Sequence, residues 1–315
     1  MSEHVIAIDL GGTKIAAALA DREGNLSLPS RVDTPAREGG LAVIHAIQDL
    51  VLDIRNQAQQ QGFDTILGVG IGSAGVVDAT GQRIIGATDA IRDWVGTEVT
   101  QLVETAVGLP VTLENDVNAH LRGEVWKGAG AGRSAAAMMA LGTGIGGAFM
   151  ANGEILVGPH GTVGDFGHLP TFLPTKRACT CGRNVAHLET VASGPGLVAW
   201  YIERGGDPEV GNARELEQRA LAGDALAMQT YTEVAAETGR ALGTIVNVLD
   251  PEVMIVGGGL ANSTDIWWQP VREAYRCQLV DILRDVPLVK AVLGNQAALV
   301  GAAKKIWNHL EARGI

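Results

Sequence analysis

Val5-Ile-Ala-Ile-Asp-Leu-Gly-Gly-Thr-Lys14 is the stretch of sequence that decides the fold. In it an apolar run meets a pair of glycines, and a second apolar run follows from Ile15. The same pattern returns from Ala136, where the glycines fall within residues 142–147. Each copy is typical of a strand, a tight loop and a returning strand, and glycine lets backbone N–H groups approach an anion closely. The two copies predict duplicated halves that hold a nucleotide triphosphate between two facing loops.

The second loop, Gly142–Gly147, also fits the G-x-G-x-x-G fingerprint of dinucleotide-binding proteins. That fingerprint requires a helix directly after the glycines. Here a short apolar run is followed by Asn152-Gly153, a pair typical of a hairpin turn, so the chain is predicted to return as a strand. One copy alone could be an ordinary glycine-rich hairpin. Two copies, with Asp9 and Thr143 beside their turns, favour phosphate binding instead.

Composition narrows the class of protein. The 315 residues, 46% of them hydrophobic, suffice for two domains of ~100–200 residues each. A net charge of −11 argues against broad contact with nucleic acid or anionic membranes, which need clustered Lys and Arg. No apolar stretch approaches the ~20 residues of a membrane helix, and the N-terminus lacks a secretory pattern, which predicts a soluble, cytoplasmic protein. Three cysteines are a poor disulfide framework.

The order of predicted elements repeats in the two halves. After the first hairpin we predict a helix over 40–61, a strand over 65–71, a helix over 97–107, a strand over 111–116 and a helix through Trp126. After the second hairpin we predict a helix over 225–248, a strand over 251–256, a helix over 267–281, a strand over 287–293 and a last helix from Ala297. Such an order belongs to sheets covered by helices. We place the domains at 1–118 and 119–315, with Gly128–Gly132 as a candidate hinge and the last helix packing back towards the N-terminal lobe.

Glu114-Asn-Asp116 lies where a strand ends and a helix begins, the place where open α/β sheets bind ligands. An aspartate at this place can orient a substrate hydroxyl and accept its proton, while Asn115 can hold a neighbouring hydroxyl. Alternatively, Asp116 only caps the helix that starts at Val117. The two glycine loops favour the catalytic interpretation.

Two cysteines and two histidines lie close together in the sequence, in a segment rich in Gly, Pro and Thr. They are His168, Cys179, Cys181 and His187. Together they can complete a tetrahedral zinc shell, although the C-x-C step is tighter than the usual spacing and each residue could be an ordinary buried Cys or surface His. The segment has little core of its own, which favours structural metal. The remaining cysteine, Cys277, lies in an amphipathic stretch and is predicted to be in the core.

An apolar strand, Val253–Val256, runs into three glycines at 257–259. Many α/β strands end in glycine, so the signal is weak by itself. As a third glycine turn at the end of a strand, it could be where an adenine and its ribose lie against backbone.

Six motifs together resemble the ROK family (repressors, open-reading-frame proteins and sugar kinases), and the resemblance covers nearly the whole chain. The motifs are Asp9-Leu-Gly-Gly-Thr-Lys14, Glu114-Asn-Asp-Val-Asn-Ala119, Leu141-Gly-Thr-Gly-Ile-Gly-Gly147, Gly164-x-x-Gly-His168, Cys179-x-Cys-Gly182 and Gly257-Gly-Gly259. The resemblance implies an α/β, two-lobed actin-like (ribonuclease-H-like) ATPase fold with a duplicated βββαβα core. It also implies that the lobes close on a sugar and that ATP, with magnesium, is the phosphoryl donor.

The resemblance further implies a role for each matching position, with Asp116 as the general base. The implied sugar ligands are Gly75, Asp89, Asn115, Asp116, Asp165, His168 and Glu189. The residues implied to face the triphosphate and its metal are Asp9, Gly11, Gly12, Thr13, Lys14, Thr143 and Gly144, and those implied to contact the nucleoside are Gly257, Gly258 and Gly259. The implied ligands of a structural zinc are His168, Cys179, Cys181 and His187.

Three departures from the family's pattern affect these roles. The zinc segment usually reads C-x-C-G-x-x-G-C-x-E, whereas here it is one residue longer and His187 replaces the third cysteine. Asp165 stands where the family usually has Glu before its Gly-His pair, and Asp89 stands where it often has Asn. The last two leave the sugar open between glucose, N-acetylmannosamine and other hexoses, and Asp165 favours an N-acetylated or otherwise modified hexose.

We therefore expect ATP-dependent phosphorylation of the primary (6-) hydroxyl of a hexose or N-acetylhexosamine, by a homodimer that binds neither nucleic acid nor membranes. The repressors of the family carry a winged helix-turn-helix before the first glycine loop, and here only Met1-Ser-Glu-His4 precede the first strand. The alternative is a sugar-sensing regulatory protein without a DNA-binding domain. Intact Asp9, Asp116 and Thr143 argue against it.

Overall fold

The computed structural model describes residues 3–63, 65–183 and 185–315. They divide into two compact units. The first unit comprises Met1–Gly132, Ile155–Val163 and Val292–Ile315, and the second comprises Arg133–Glu154 and Gly164–Ala291. None of the helices in these described ranges is long and apolar enough to cross a membrane.

The strands and helices alternate as a duplicated pattern. In chain order they are β1 (Glu3–Leu10), β2 (Lys14–Ala20), β3 (Leu26–Asp33), α1 (Gly40–Gln60), β4 (Thr65–Ser73), β5 (Val76–Val77), β6 (Ile84–Gly86), α2 (Val99–Val107), β7 (Val111–Asn115), α3 (Asp116–Lys127), β8 (Ala136–Leu141), β9 (Ile145–Ala151), β10 (Glu154–Ile155), α4 (Glu189–Ala192), α5 (Gly194–Glu203), α6 (Ala213–Leu221), α7 (Ala225–Leu249), β11 (Val253–Gly257), α8 (Asp265–Gln278), β12 (Leu288–Lys290) and α9 (Ala297–Ala312). One sheet has the strand order β3-β2-β1-β4-β7 and another has the order β10-β9-β8-β11-β12.

The two five-stranded sheets have the same internal geometry. β1 pairs antiparallel with β2 and parallel with β4, which pairs parallel with β7. β8 likewise pairs antiparallel with β9 and parallel with β11, which pairs parallel with β12. Both glycine loops predicted from the sequence therefore join the first two strands of a sheet. A duplicated βββαβα core is the result.

In the first unit β1 is apolar on both faces because the sheet is covered on both. Ile6 and Ile8 lie in the core beside α1 and α2, whereas Val5 and Ala7 lie in the core beside α9. Close approach explains the glycines of β4, since a Cβ at Gly70 would lie 2.0 Å from the Ala302 carbonyl oxygen. The helix α9 thus rests directly on the sheet.

The helices α3 and α9 cross at small residues in the first unit. A Cβ at Gly301 would lie 1.8 Å from the Ala119 carbonyl oxygen, and one at Gly123 would lie 2.2 Å from the Ala297 carbonyl oxygen. Towards the C-terminal end of α3, the buried Glu124 accepts hydrogen bonds from the N–H groups of Val292 and Leu293, at 2.9 and 2.8 Å. The whole of α3 accordingly belongs to the first unit, whereas the sequence analysis placed a boundary at 118/119.

In the second unit the long helix α7 packs along α8 against the sheet. Trp267, Val271 and Tyr275 form the buried face of α8. Cys277 follows Tyr275 by two residues, about 200° around the helix, and it is exposed. The prediction that Cys277 lies in the core was therefore wrong.

Candidate functional site

Asp9 and Asp116 lie at the same edge of the first sheet, because β1, β4 and β7 run parallel there. Asp9 is paired in register with Gly72 of β4, and Gly72 is paired with Glu114 of β7. Asp116 opens the helix that follows β7. A Cβ at Gly72 would lie 3.0 Å from the Ala119 Cβ, so the glycine allows α3 to begin close to the strands.

The carboxyl groups of these two aspartates have raised pKa values. Burial, together with the nearby charge of Asp116, raises the pKa of Asp9 from 3.8 to about 6. Burial also raises the pKa of Asp116 to about 6, although hydrogen bonds from the Val117 N–H and from Asn115 oppose that rise. Perturbed carboxyl groups of this kind concentrate at functional sites. Near neutral pH both groups are mainly ionised yet remain ready to take a proton.

Asn115 holds the backbone around Asp116 in place. Its Oδ1 accepts hydrogen bonds from the N–H groups of Val117 and Asn118, at 2.9 and 3.3 Å, and its Nδ2 donates to the Gly75 carbonyl oxygen at 3.0 Å. Asn115 is therefore the N-cap of α3, a role that the sequence analysis had considered for Asp116. The Asn115 side chain also donates a hydrogen bond to the Asp116 carboxylate.

The first glycine loop is a tight turn at the end of β1. The N–H of Gly11 donates to the Lys14 carbonyl oxygen at 3.0 Å. A Cβ at Gly12 would lie 3.1 Å from the Ala90 Cβ, so the loop lies against the segment that carries Asp89. Thr13 and Lys14 are exposed. Asp89 is also exposed and lines a small cavity of about 450 Å³.

The second glycine loop borders a cavity of about 860 Å³ within the second unit. The loop contributes Gly142 and Thr143, and the turn after β11 contributes Gly259. Gly257 and Gly258 lie behind this wall, since a Cβ at Gly258 would lie 2.4 Å from the Leu141 carbonyl oxygen. Of the three glycines predicted to contact a nucleoside, Gly259 is thus the one that reaches the cavity.

Leu141, from the second glycine motif, also lines this cavity. The rest of the wall consists of residues that no sequence motif indicated, namely Gly194, Pro195, Val198, Ala199, Ile202, Gly211, Asn212, Ala213, Arg214, Glu217, Tyr231, Leu260, Asn262 and Ser263. Helix signals were present for two elements of this wall. Ser193 caps α5, which has a proline in its first turn, and Asn212 caps α6 by accepting from the Glu215 N–H.

The four predicted metal ligands converge. One ligand atom from each of His168, Cys179, Cys181 and His187 lies within 4.8 Å of the others. The Cys181 Sγ and the His187 Nδ1 are 3.7 Å apart. Zinc bonds of ~2.0–2.3 Å in a tetrahedron would set ligand atoms about 3.3–3.8 Å apart. The separation of Cys181 and His187 lies in this range, and thiolate and imidazole are ligands that zinc accepts, so the four residues form a candidate zinc site. The convergence predicted from the sequence is confirmed.

Asp165 contacts His168, one of the four candidate metal ligands. Its Oδ1 lies 2.8 Å from the His168 Nδ1, which leaves the Nε2 of that ring for a metal. A carboxylate on the far nitrogen of a ligand histidine fixes the orientation of the ring and its tautomer. The sequence predicted that the Asp165 side chain contacts the sugar. At least one of its carboxylate oxygens instead supports His168.

Glu189 lies between the metal ligands and the second glycine loop. Its Oε2 accepts from the Ile145 N–H at 2.8 Å, and its Oε1 accepts from the Thr180 hydroxyl at 2.8 Å. Each oxygen keeps further acceptor capacity for a ligand. The predicted sugar ligand is thus also a link between two loops.

This chain is similar to known proteins over nearly its whole length. The ROK family model matches residues 5–308. A glucokinase of Streptomyces coelicolor is 34% identical over 317 residues, which cover 95% of this chain and 96% of that protein. An N-acetyl-D-glucosamine kinase of Pasteurella multocida is 32% identical over 308 residues, which cover 94% and 96%.

A solved structure extends the similarity to three dimensions. It is the ROK family glucokinase of Streptomyces griseus in complex with glucose and AMPPNP, with a TM-score of 0.78 and 31% identity over 96% of this chain and 98% of that one. The predicted actin-like ATPase fold with its duplicated core is confirmed. With a family model that spans all but the ends of the chain, this protein belongs to the ROK family.

Proposed function

We propose that this protein transfers the γ-phosphoryl group of ATP to the primary (6-) hydroxyl of a hexose or N-acetylhexosamine. Relatives named glucokinase and N-acetyl-D-glucosamine kinase support the class of reaction. The observation that carries the proposal is Asp116, a carboxylate held at the start of α3 with a pKa raised to about 6. A general base works best when its pKa lies near the working pH.

In the proposed reaction Asp116 accepts the proton of the sugar hydroxyl as its oxygen attacks the γ-phosphorus. The bond from that phosphorus to the bridging oxygen breaks, and ADP leaves. Phosphoryl transfer depends mainly on positioning and charge stabilisation. Asn115 supports the base, since its side chain fixes the backbone at Val117 and Gly75. Its side chain also donates to the Asp116 carboxylate, which favours the ionised form of the base.

We assign the nucleotide to the glycine loops. Backbone N–H groups of Gly12 and Thr13, with the Lys14 ammonium, would bind the phosphates in the first unit, and Gly11, whose N–H closes the turn on the Lys14 carbonyl oxygen, would shape the loop. Thr143 and Gly144 would do so in the second, where the cavity of about 860 Å³ would take the nucleoside against Gly259. Asp9 would hold magnesium, which offsets the negative charge of the phosphates when bound with ATP.

We assign a structural zinc to His168, Cys179, Cys181 and His187. A zinc site with four protein ligands is closed and contributes stability rather than catalysis. It would hold the loop from which Asp165 and Glu189 are presented to the sugar, while the two ring nitrogens of His168 would face Asp165 and the metal. Gly75 and Asp89 of the first unit complete the proposed set of sugar ligands. A cytoplasmic homodimer remains our expectation for the assembly.

The experiment that tests the proposal is an ADP-release assay with glucose, mannose, N-acetylglucosamine and N-acetylmannosamine. The wild type should turn over at least one sugar, and Asp116→Asn should lose about 10²–10⁴-fold in kcat because an amide cannot accept the proton. The control is Asp53→Asn, an exposed aspartate of α1. Sugar binding without turnover of any sugar would favour the sugar-sensing alternative and contradict the proposal.

A further inference from the structure

The two oxygens of the Glu189 carboxylate accept hydrogen bonds from two different loops of the second unit. One oxygen accepts from the Ile145 N–H, in the glycine loop, and the other accepts from the Thr180 hydroxyl, both at 2.8 Å. We name residues 142–147 the glycine loop and residues 179–187 the metal loop. A charged acceptor makes such hydrogen bonds stronger than neutral ones.

On the glycine-loop side, contact is close and occurs at two points. A Cβ at Gly144 would lie 2.7 Å from the Glu189 Oε2, so the loop backbone passes directly over the carboxylate. Further along the chain, the Gly194 N–H donates to the Gly142 carbonyl oxygen at 2.8 Å. The segment from Glu189 to Gly194 therefore holds the glycine loop at Gly142 and at Ile145.

On the metal-loop side, the partners of Glu189 are neighbours of the metal ligands. Thr180 lies between Cys179 and Cys181, and Glu189 follows His187 by one intervening residue. The His187 N–H donates to the Thr190 hydroxyl at 3.0 Å, which ties this ligand to the first turn of α4. A metal that fixes the four ligands therefore also restrains the Thr180 hydroxyl and the backbone that carries the Glu189 carboxylate.

We propose that Glu189 is a positioning residue through which metal occupancy orders the glycine loop, so that zinc and nucleotide bind with positive linkage. The inference rests on the proposed function in one respect, that nucleotide binds against Gly142 and Thr143 on the cavity side of this loop. Linkage is reciprocal, so zinc must tighten nucleotide binding by the same factor by which nucleotide tightens zinc binding. A factor on the order of tenfold is typical of such coupling.

The variant Thr180→Val tests the link without replacing a metal ligand or Glu189 itself. Because the Thr180 hydroxyl also bonds to Cys179, the zinc content of the variant is measured alongside. Valine keeps the shape of threonine and removes the hydroxyl that donates to the Glu189 Oε1. Thr180→Ser keeps the hydroxyl and should behave as the wild type. The matched control is Thr175→Val, because the Thr175 hydroxyl donates to the Glu203 Oε2 at the same distance of 2.8 Å but does not contact the glycine loop.

Two measurements on zinc-loaded and zinc-free protein give the result. In the wild type, removal of zinc should weaken the binding of AMPPNP on the order of tenfold and speed hydrogen exchange at the Ile145 amide. Thr180→Val should still bind about one zinc per chain. In this variant, the effects of zinc removal on AMPPNP binding and on Ile145 exchange should be less than about half of those in the wild type. Thr180→Ser and Thr175→Val should retain them.

Equal AMPPNP affinity with and without zinc in the wild type, or full linkage in Thr180→Val, would overturn the proposal. Failure of the proposed function has a different signature, because then AMPPNP would not bind to any form of the protein. In that case the rate of hydrogen exchange at the Ile145 amide still tests whether zinc orders the glycine loop. An exchange rate that zinc does not change refutes the link between the two loops.

Discussion

Asp116 lies near enough to Asp9 for its negative charge to raise the pKa of the Asp9 carboxyl, in addition to the larger effect of burial. The two side chains come from different strand ends and are brought to one edge of the sheet by the parallel pairing of β1, β4 and β7. Two partly buried carboxylates of the same sign are costly to a folded protein. Replacing one of the two carboxylates should therefore change the free energy of unfolding.

Asp116→Asn should stabilise the protein above pH 6. A carboxyl whose pKa is raised on folding binds protons more tightly when folded, so the wild type loses stability as the pH rises from about 4 to about 6. Asparagine keeps the acceptor for the Val117 N–H and has no charge to bury. We expect a gain of about 1–3 kcal/mol in the free energy of unfolding at pH 7.5, and little change at pH 4. Urea unfolding at both values checks this, and an equal effect at the two values would contradict it.

The rate should depend on pH through the same group. As the pH falls through about 6, Asp116 takes up a proton and can no longer act as base. The kcat/KM for the sugar should therefore fall on the acid side of pH 6 and be level above it, up to the next ionisation. A profile that stays flat down to pH 4.5, measured where the protein remains folded, would remove Asp116 from the role of base.

Thr143→Val should affect the nucleotide rather than the sugar. Thr143 is exposed at the wall of the large cavity in the second unit, and valine removes its hydroxyl there. We expect the KM for ATP to rise several-fold while the KM for the sugar stays within error. Thr232→Val is the control, because that hydroxyl bonds to the Met228 and Gln229 carbonyl oxygens within α7, at 3.0 and 3.1 Å. A selective loss of sugar affinity would reverse the assignment.

Elemental analysis should find about one zinc per chain in the wild type and a large loss in Cys181→Ser, because a hydroxyl is a much poorer ligand than a thiolate. Cys277→Ser should keep its zinc, since Cys277 is exposed on α8 and is not one of the four converging residues. Zinc-free wild type with unchanged stability would refute a structural role for the metal.

The sequence predicted the parts of the fold that local pattern determines. The hairpins β1–β2 and β8–β9 were predicted because apolar runs flank glycine pairs, and α1 and α7 because their apolar residues recur at helical spacing. The metal ligands could be predicted because Cys and His are rare in this chain and lie close together. Each of these signals is contained in a short stretch of residues.

Features that depend on tertiary contacts could not be predicted in the same way. Asn115 and Asp116 are adjacent, and both accept from the Val117 N–H, so sequence alone could not decide which one caps α3. The helices α5 and α6 are short, and their place in the cavity wall follows from packing against α7. The contact of Glu189 with Ile145 joins residues 44 positions apart, which no local pattern records.

The site of phosphorylation on the product tests the central claim most directly. The sugar with the highest kcat/KM is converted with ATP, and the product is examined by correlation of ³¹P with ¹H in NMR. We predict one phosphate ester per ADP formed, coupled to the two protons on carbon 6, and almost none with Asp116→Asn in the same time. Release of free phosphate in place of an ester, or coupling to a ring proton, would contradict the account.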